Sequence, residues 1–465
     1  MILPRFARVL ALVLGLAVLA SQSAYAQFAA NRAVQRAIDV NTRNALQRVQ
    51  LTMKVKGSAG KVVVQRTSRN GRYLLLVFED NRPRVWDLET SRYWDHFESL
   101  ASPVAAAAIG GDMSFVTIDR EGRLARWSKN SGAPVVVAPT GLADPVFADI
   151  ARTGEALIVA RDGTLHSYSE NGLQRLGQAV ANLTAVRTPM AMDPSGDIVA
   201  TALGQTGLGL WSSRSGTPVA KVDGVPGISA FTFGEESRQL LIATGNRVLD
   251  WDVGAGRATG EFLCAAECRI DKLLVNSATR SLIAVTDAGA LLRWSLDDYR
   301  AVATVATRGT APGSVTTAAG APLLIGGTPR GFVQFSHLER PETSLTLIST
   351  NRGWAMIDPL GRFDGQAGQD IGVSWANDEF DLPLPNFVDT HYEPGLFSKW
   401  LGAGGAYQTN PAALAEGVLL PPMIAMTITA VDPKSSRPMI DVQVKVTDSG
   451  GGLGEPSLYH LGLKV

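Results

Sequence analysis

Seven bulky rings recurring every 40–43 residues, each inside the same strand–turn–strand grammar, predict an all-β chain: a seven-bladed β-propeller followed by a C-terminal partial β-sandwich module. The rings are Trp86, Trp127, Tyr168, Trp211, Trp251, Trp294 and Phe335, at intervals of 41, 41, 43, 40, 43 and 41 residues, each before an Asp or Ser. A third observation agrees. Gly is abundant at 47 residues, as a fold with many tight turns requires.

The elements follow in order along each repeat. An apolar run comes first, as in 73–78, 114–118, 156–160, 239–243 and 281–286. A turn follows, with Gly122, Gly163, Gly207, Gly245, Gly289 or Gly331 four to six residues before the ring. Alternating residues lead into the ring, as in Arg123-Leu124-Ala125-Arg126-Trp127, which reads as strand, hairpin, strand. A second turn (130–132, 214–216, 254–256) precedes an outer strand such as 133–137 or 218–222. A further strand before the next apolar run makes four per repeat. One such sheet cannot bury both of its faces alone, whereas stacking around an axis does so and protects the strand edges. The seven rings are therefore expected as structural wedges between neighbouring blades, each stabilising by about 2–3 kcal/mol through burial.

The pattern resembles WD-repeat propellers over residues 59–350. Trp-Asp is literal at Trp86-Asp87 and Trp251-Asp252, and the Gly-His pair of that family is absent. The resemblance implies the fold and a protein-interaction role, without the family's Asp–His–Ser–Trp hydrogen-bond network.

The flanks read differently. Residues 1–26 form a signal peptide: Arg5 and Arg8, an apolar run over 9–20 too short to anchor stably, and the small-x-small site Ala24-Tyr25-Ala26. Cleavage after Ala26 implies a periplasmic or secreted protein with 41 basic and 43 acidic residues. No Cys follows that site for a lipid anchor, and no later stretch is long enough to span a membrane. Residues 27–58 read as a helix (28–48) and a strand (49–55). That strand competes with 344–350 to close the last blade. Residues 351–420 read as an irregular connector with two short strands around a Pro-x-Gly turn (353–364) and a helix near 393–401. Strands at 423–430, 439–447 and 457–464, with a Gly-rich turn at 448–454, form the module of 421–465, expected to be cut short at Val465.

Two motifs carry a narrower resemblance. Trp354-x-x-x-Asp358-Pro359-x-Gly361-x-Phe363-Asp364, and Val446-Thr447-Asp448-x-Gly450-Gly451-Gly452-x-Gly454, are similar to the N-terminal, non-catalytic half of bacterial WD-repeat proteins fused to a caspase-like peptidase domain. This implies a regulatory or targeting half of a peptidase system, either a truncated product or a lone accessory half.

Candidate chemistry is sparse. The two thiols, Cys264 and Cys268, are expected as a loop disulfide in an oxidising compartment rather than as a nucleophile. His96, His166, His337, His391 and His460 lie no closer than about 50 residues apart and show no metal-ligand spacing. Asp364 to Asp370 fits no calcium loop, and the Gly-rich run 450–454 lacks the Lys-Ser/Thr of a phosphate cradle. Glu235-Glu236 and Asp297-Asp298 read as solvated turn charges. Lys and Arg balance Asp and Glu at 43 each, which excludes a global field for nucleic acid. The expectation is a scaffold, not an enzyme, without cofactor, catalytic residue or metal, gripping a protein partner through its loops. The rival is a propeller enzyme that binds a sugar or small molecule in the channel, with acids or His converging there.

Overall fold

A computed structural model describes residues 51–406, except 143, 170–171, 181–189, 204–206, 265–267, 303–313, 367–368 and 379–380, together with strand segments at 48–49, 418–419, 423–430, 440–447, 459–460 and 463–464. The expected signal peptide and the Gly-rich turn lie outside these residues. So does the helix of 28–48, apart from Arg48, which begins the strand Arg48–Val49.

Among the described residues, seven antiparallel sheets follow one another in the chain. Each has four consecutive strands that pair in order. The first sheet is Val62–Thr67, Tyr73–Phe78, Pro83–Asp87 and Arg92–Trp94. The innermost strands of the next six are Val104–Ile109, Pro145–Ile150, Met190–Met192, Ile228–Phe233, Ile270–Asn276 and Val315–Ala318. In five of the seven innermost strands the register slips by one residue near the start, at Val63, Ala105, Val146, Ser229 and Asp271. Such a bulge increases local twist, which suits strands converging on an axis.

Side-chain alternation explains why the sheets close on themselves. In Tyr73–Phe78 every residue is buried. Leu74, Leu76 and Phe78 pack toward the seventh sheet, while Tyr73, Leu75 and Val77 pack toward the second. The same period-2 division recurs around the molecule. Apolar clusters join sheets two and three, three and four, four and five, five and six, and six and seven. The cluster of Leu74 and Trp86 joins the seventh sheet to the first, so the series is circular and the fold is a β-propeller.

The closure does not use the N-terminal strand. The seventh sheet takes its fourth strand, Arg340–Ser349, from the same repeat. The strand Thr52–Val55 pairs instead with Val373–Ala376, which in turn pairs with Asp381–Pro383. The expected hairpin forms as Trp354–Ile357 and Phe363–Gly365 and extends the seventh sheet to six strands. The helix expected near 393–401 is Leu396–Gly402, with Phe397 and Trp400 buried.

The described residues fall into two compact units: those of Met53–Trp375 with Asp381–Pro411, and the remainder. In the second unit, Met423–Ala430 and Ile440–Thr447 form an antiparallel ribbon. One face pairs Ile424 with Val446 and Met426 with Val444. The other alternates with polar partners such as Thr427 with Gln443.

Candidate functional site: the propeller seams and axis

The seven predicted rings occupy the seams in two different ways. Trp86, Trp127 and Trp294 are at most 2 % exposed, and Tyr168, Trp211 and Trp251 are half-buried. These six hold one register, opposite Leu74, Phe115, Ala156, Val199, Leu240 and Leu282 of the second strand. Each packs into the cluster shared with the preceding sheet. Phe335 departs from that register. It sits opposite Ile325 and faces the first sheet, and Ser336 holds the wedge position opposite Leu324. The ring's place in the sequence is one residue early, which turns it to the other face of the strand.

Two of the rings are also tied by hydrogen bonds to the second strand of their own sheet. The indole N–H of Trp127 donates to Thr117 Oγ1, and that of Trp211 to Thr201 Oγ1, both at 2.9 Å.

Sequence repeats gave no sign of how aromatic the closing seam is. Trp86 meets Trp354 edge-on at 5.2 Å and Phe397 at 5.6 Å, with Tyr93 at 5.5 Å. The Tyr93 hydroxyl hydrogen-bonds Ser349 Oγ at 2.6 Å across the seam, and burial raises its pKa far above the ordinary phenol value. Trp354 and Phe397 come from outside the repeats, so no period announces them.

The residues of the Trp-x-x-x-Asp-Pro motif serve the hairpin. Asp358 accepts the backbone N–H of Leu360 and Arg362 and the Arg362 Nε at 2.7 Å, with both side chains at most 5 % exposed. Asp364 Oδ2 accepts the Gly395 N–H at 2.8 Å, which ties the hairpin to the helix start. The same Asp-x-x-Gly-Arg turn appears at Asp119 to Arg123.

The other candidates are separate. His337 is buried against Trp400, and burial lowers its pKa. His166 bonds Thr164, His96 stacks on Phe97, and His391 bonds Thr390. Glu235 and Asp297 both pair with Arg280, Glu236 with Arg238, and Asp298 with Arg300. These pairs are exposed and contribute little. The Sγ atoms of Cys264 and Cys268 lie 2.11 Å apart. Among the described residues no group of three or more His, Cys, Asp or Glu could hold a metal, and no helix is long and apolar enough to cross a membrane.

Charge gathers instead on the axis, at residues no motif marks. Arg66 and Arg69 of the first sheet, Asp149 and Phe147 of the third, and Lys272 of the sixth belong to the innermost strands or their following turn. The Arg66 guanidinium lies 4.8 Å from the Phe147 ring centroid. Arg69 donates to the Ile150 carbonyl and stands 3.8 Å from Asp149. Lys272 Nζ donates to the Val315 carbonyl at 2.7 Å. Burial holds Arg66 below its ordinary range and, with the Arg66 charge beside it, pushes Lys272 down to about 8. Burial raises the Asp149 carboxyl against the pull of Arg69 and Arg66. The channel enzyme reading called for converging acids or His; in this cluster Asp149 is the carboxylate that stands beside the cations.

Ring closure and these seams define the chain as a β-propeller. No family model matches the chain. No curated protein matches it either. Among solved structures it is similar to the beta-propeller domain of Cps50 (Swd1) from Myceliophteria thermophila, at 14 % identity and a TM-score of 0.49, covering 62 % of this chain and 99 % of that one.

Proposed function

We propose that the chain is a non-enzymatic interaction scaffold of the periplasm or extracellular space, and that a partner polypeptide adds a strand to the outer edge of the second sheet. The observation that carries this reading is the outer strand Val136–Pro139. Val135, Val136 and Val137 are 62, 42 and 56 % exposed, and residues 133–139 hold no charge. The outer strands of the first, third, fourth and fifth sheets carry Arg92, Arg175, Lys221 and Arg257, a usual protection of a free edge. An uncharged apolar edge invites pairing by backbone hydrogen bonds between Pro134 and Pro139, with the valines filling alternate pockets. The propeller's loops frame the contact, and a rigid ring holds them in place.

The test uses the mature chain as bait in host periplasmic extract, beside a Val135→Asp/Val137→Asp variant and a Val219→Asp control. The reading expects one partner retained by wild type and control and lost with the double variant. Equal capture by all three would overturn it. The compartment is tested separately: the secreted chain should begin at Gln27, with Cys264 and Cys268 protected from alkylation as a disulfide. A chain that starts at Met1 in the cytoplasmic fraction would contradict that assignment.

A further inference from the structure

The axial cluster brings together groups from sheets that are not neighbours. In a ring of seven sheets the first is separated from the third by the second, and from the sixth by the seventh. Arg66 nevertheless lies over the Phe147 ring of the third sheet, and the Lys272 ammonium reaches the Val315 carbonyl, next in the chain to Thr316, whose hydroxyl meets that of Thr67 beside Arg66. Such groups meet only across the axis.

The hydrogen-bonding capacity there is largely unspent. Arg66 has five N–H donors. Nη1 donates to the Gln65 carbonyl at 3.0 Å, and the buried Nε has no partner. Lys272 has three donors, one of which reaches Val315. Asp149 is shared between Arg69 and Arg66. Asp271, beside Lys272 in the chain, stands 3.8 Å from Arg269. Three cations thus stand with one carboxylate, all on partly buried side chains. Uncompensated like charge of this kind costs folding free energy. A ligand of opposite sign would supply the missing compensation.

We propose that the axis of the propeller is a binding site for a compact dianionic oxyanion, a phosphate or a small dicarboxylate, held by Arg66 and Lys272. A guanidinium offers a planar fork to two oxygens of one such group, and an ammonium supplies a point charge to another. Phe147 fixes the Arg66 plane by stacking on it. Asp149 holds Arg69 beside the site. The site is independent of the edge strand, so either proposal can fail alone.

The experiment is thermal unfolding and calorimetry of the mature chain at about pH 7, with inorganic phosphate, succinate, and sodium chloride at matched ionic strength. A dianion that binds the folded state raises the melting temperature saturably. Wild type is expected to respond to phosphate or succinate and not to chloride, and the stronger of the two names the ligand class. Arg66→Gln and Lys272→Gln are each expected to weaken binding about tenfold or more, the effect of losing a charged hydrogen bond. Lys272→Arg should retain binding. Without anion, Lys272→Gln should melt at or above the wild-type temperature, because it removes like-charge repulsion. A Lys272 that only buttresses Val315 would give a lower melting temperature instead. Should Arg66→Gln fail to fold, Lys272→Gln still decides. The proposal is overturned if neither dianion exceeds chloride, or if folded Lys272→Gln binds as wild type does.

Discussion

Lys272 shows how one side chain can set the pH response of the fold. Its folded pKa, lowered to about 8, lies below the ordinary lysine value of 10.5. Between those values the unfolded chain binds the proton that the folded chain has released, so stability rises with pH across the window. The destabilising contribution is fully present below about pH 8. Above about pH 10 the buried Tyr93 hydroxyl acts the other way, since the unfolded phenol ionises first. Chemical denaturation between pH 8 and 10 should show wild type gaining stability and Lys272→Gln gaining less. Identical slopes would show that Lys272 titrates normally. Trp86 gives a second residue-scale expectation. It is fully buried among four rings, and Trp86→Ala should cost about 3–5 kcal/mol. Trp211→Ala, at a half-buried ring, should cost less in the same urea titration.

At the scale of elements, the Asp-x-x-Gly-Arg turn explains why certain glycines cannot be exchanged. Gly122 has φ +76°, and a Cβ there would lie 2.0 Å from the Leu142 carbonyl oxygen. Gly122→Ala should therefore destabilise by about 1 kcal/mol or more, measurable as a lower urea midpoint with an unchanged slope. An unaffected midpoint would mean that this turn relaxes freely. The strand grammar of the repeats was legible because two periods coincide: alternation within a strand, and about 41 residues between rings. Where the second period slips by one, as at Phe335, sequence reading keeps the ring in the seam and loses the face it points to. The hairpin 354–365 was legible from Pro359 and Gly361. Its attachment to the seventh sheet was not, because edge pairing leaves no local pattern. Strand 52–55 misled for the same reason: its alternation marks a strand, and its partner Val373–Ala376 lies more than 300 residues away.

At the scale of the whole molecule, closure is achieved by side chains rather than by exchange of a strand between the chain ends. The seam between the seventh and first sheets has aromatic residues from both sheets, from the added hairpin and from the helix Leu396–Gly402. The helix thus belongs to the propeller's closure, and Phe397→Ala should lower the melting temperature without changing the sheet content seen by circular dichroism. The axial cluster was the least legible feature of all. Its members are distant in sequence, and the available signal was only a charged residue in strands that are otherwise largely apolar, as in Val62–Thr67 and Ile270–Asn276. Their convergence is a property of the ring alone.

The ring is tested most directly where first and last sheets touch. Thr67 Oγ1 and Thr316 Oγ1 lie 3.3 Å apart across the closing seam, 249 residues apart in sequence. A Thr67→Cys/Thr316→Cys chain, oxidised under native conditions, should form that crosslink within one molecule in high yield, read by mass spectrometry of the digested protein. An absent crosslink, or one found only between molecules, would contradict a closed propeller.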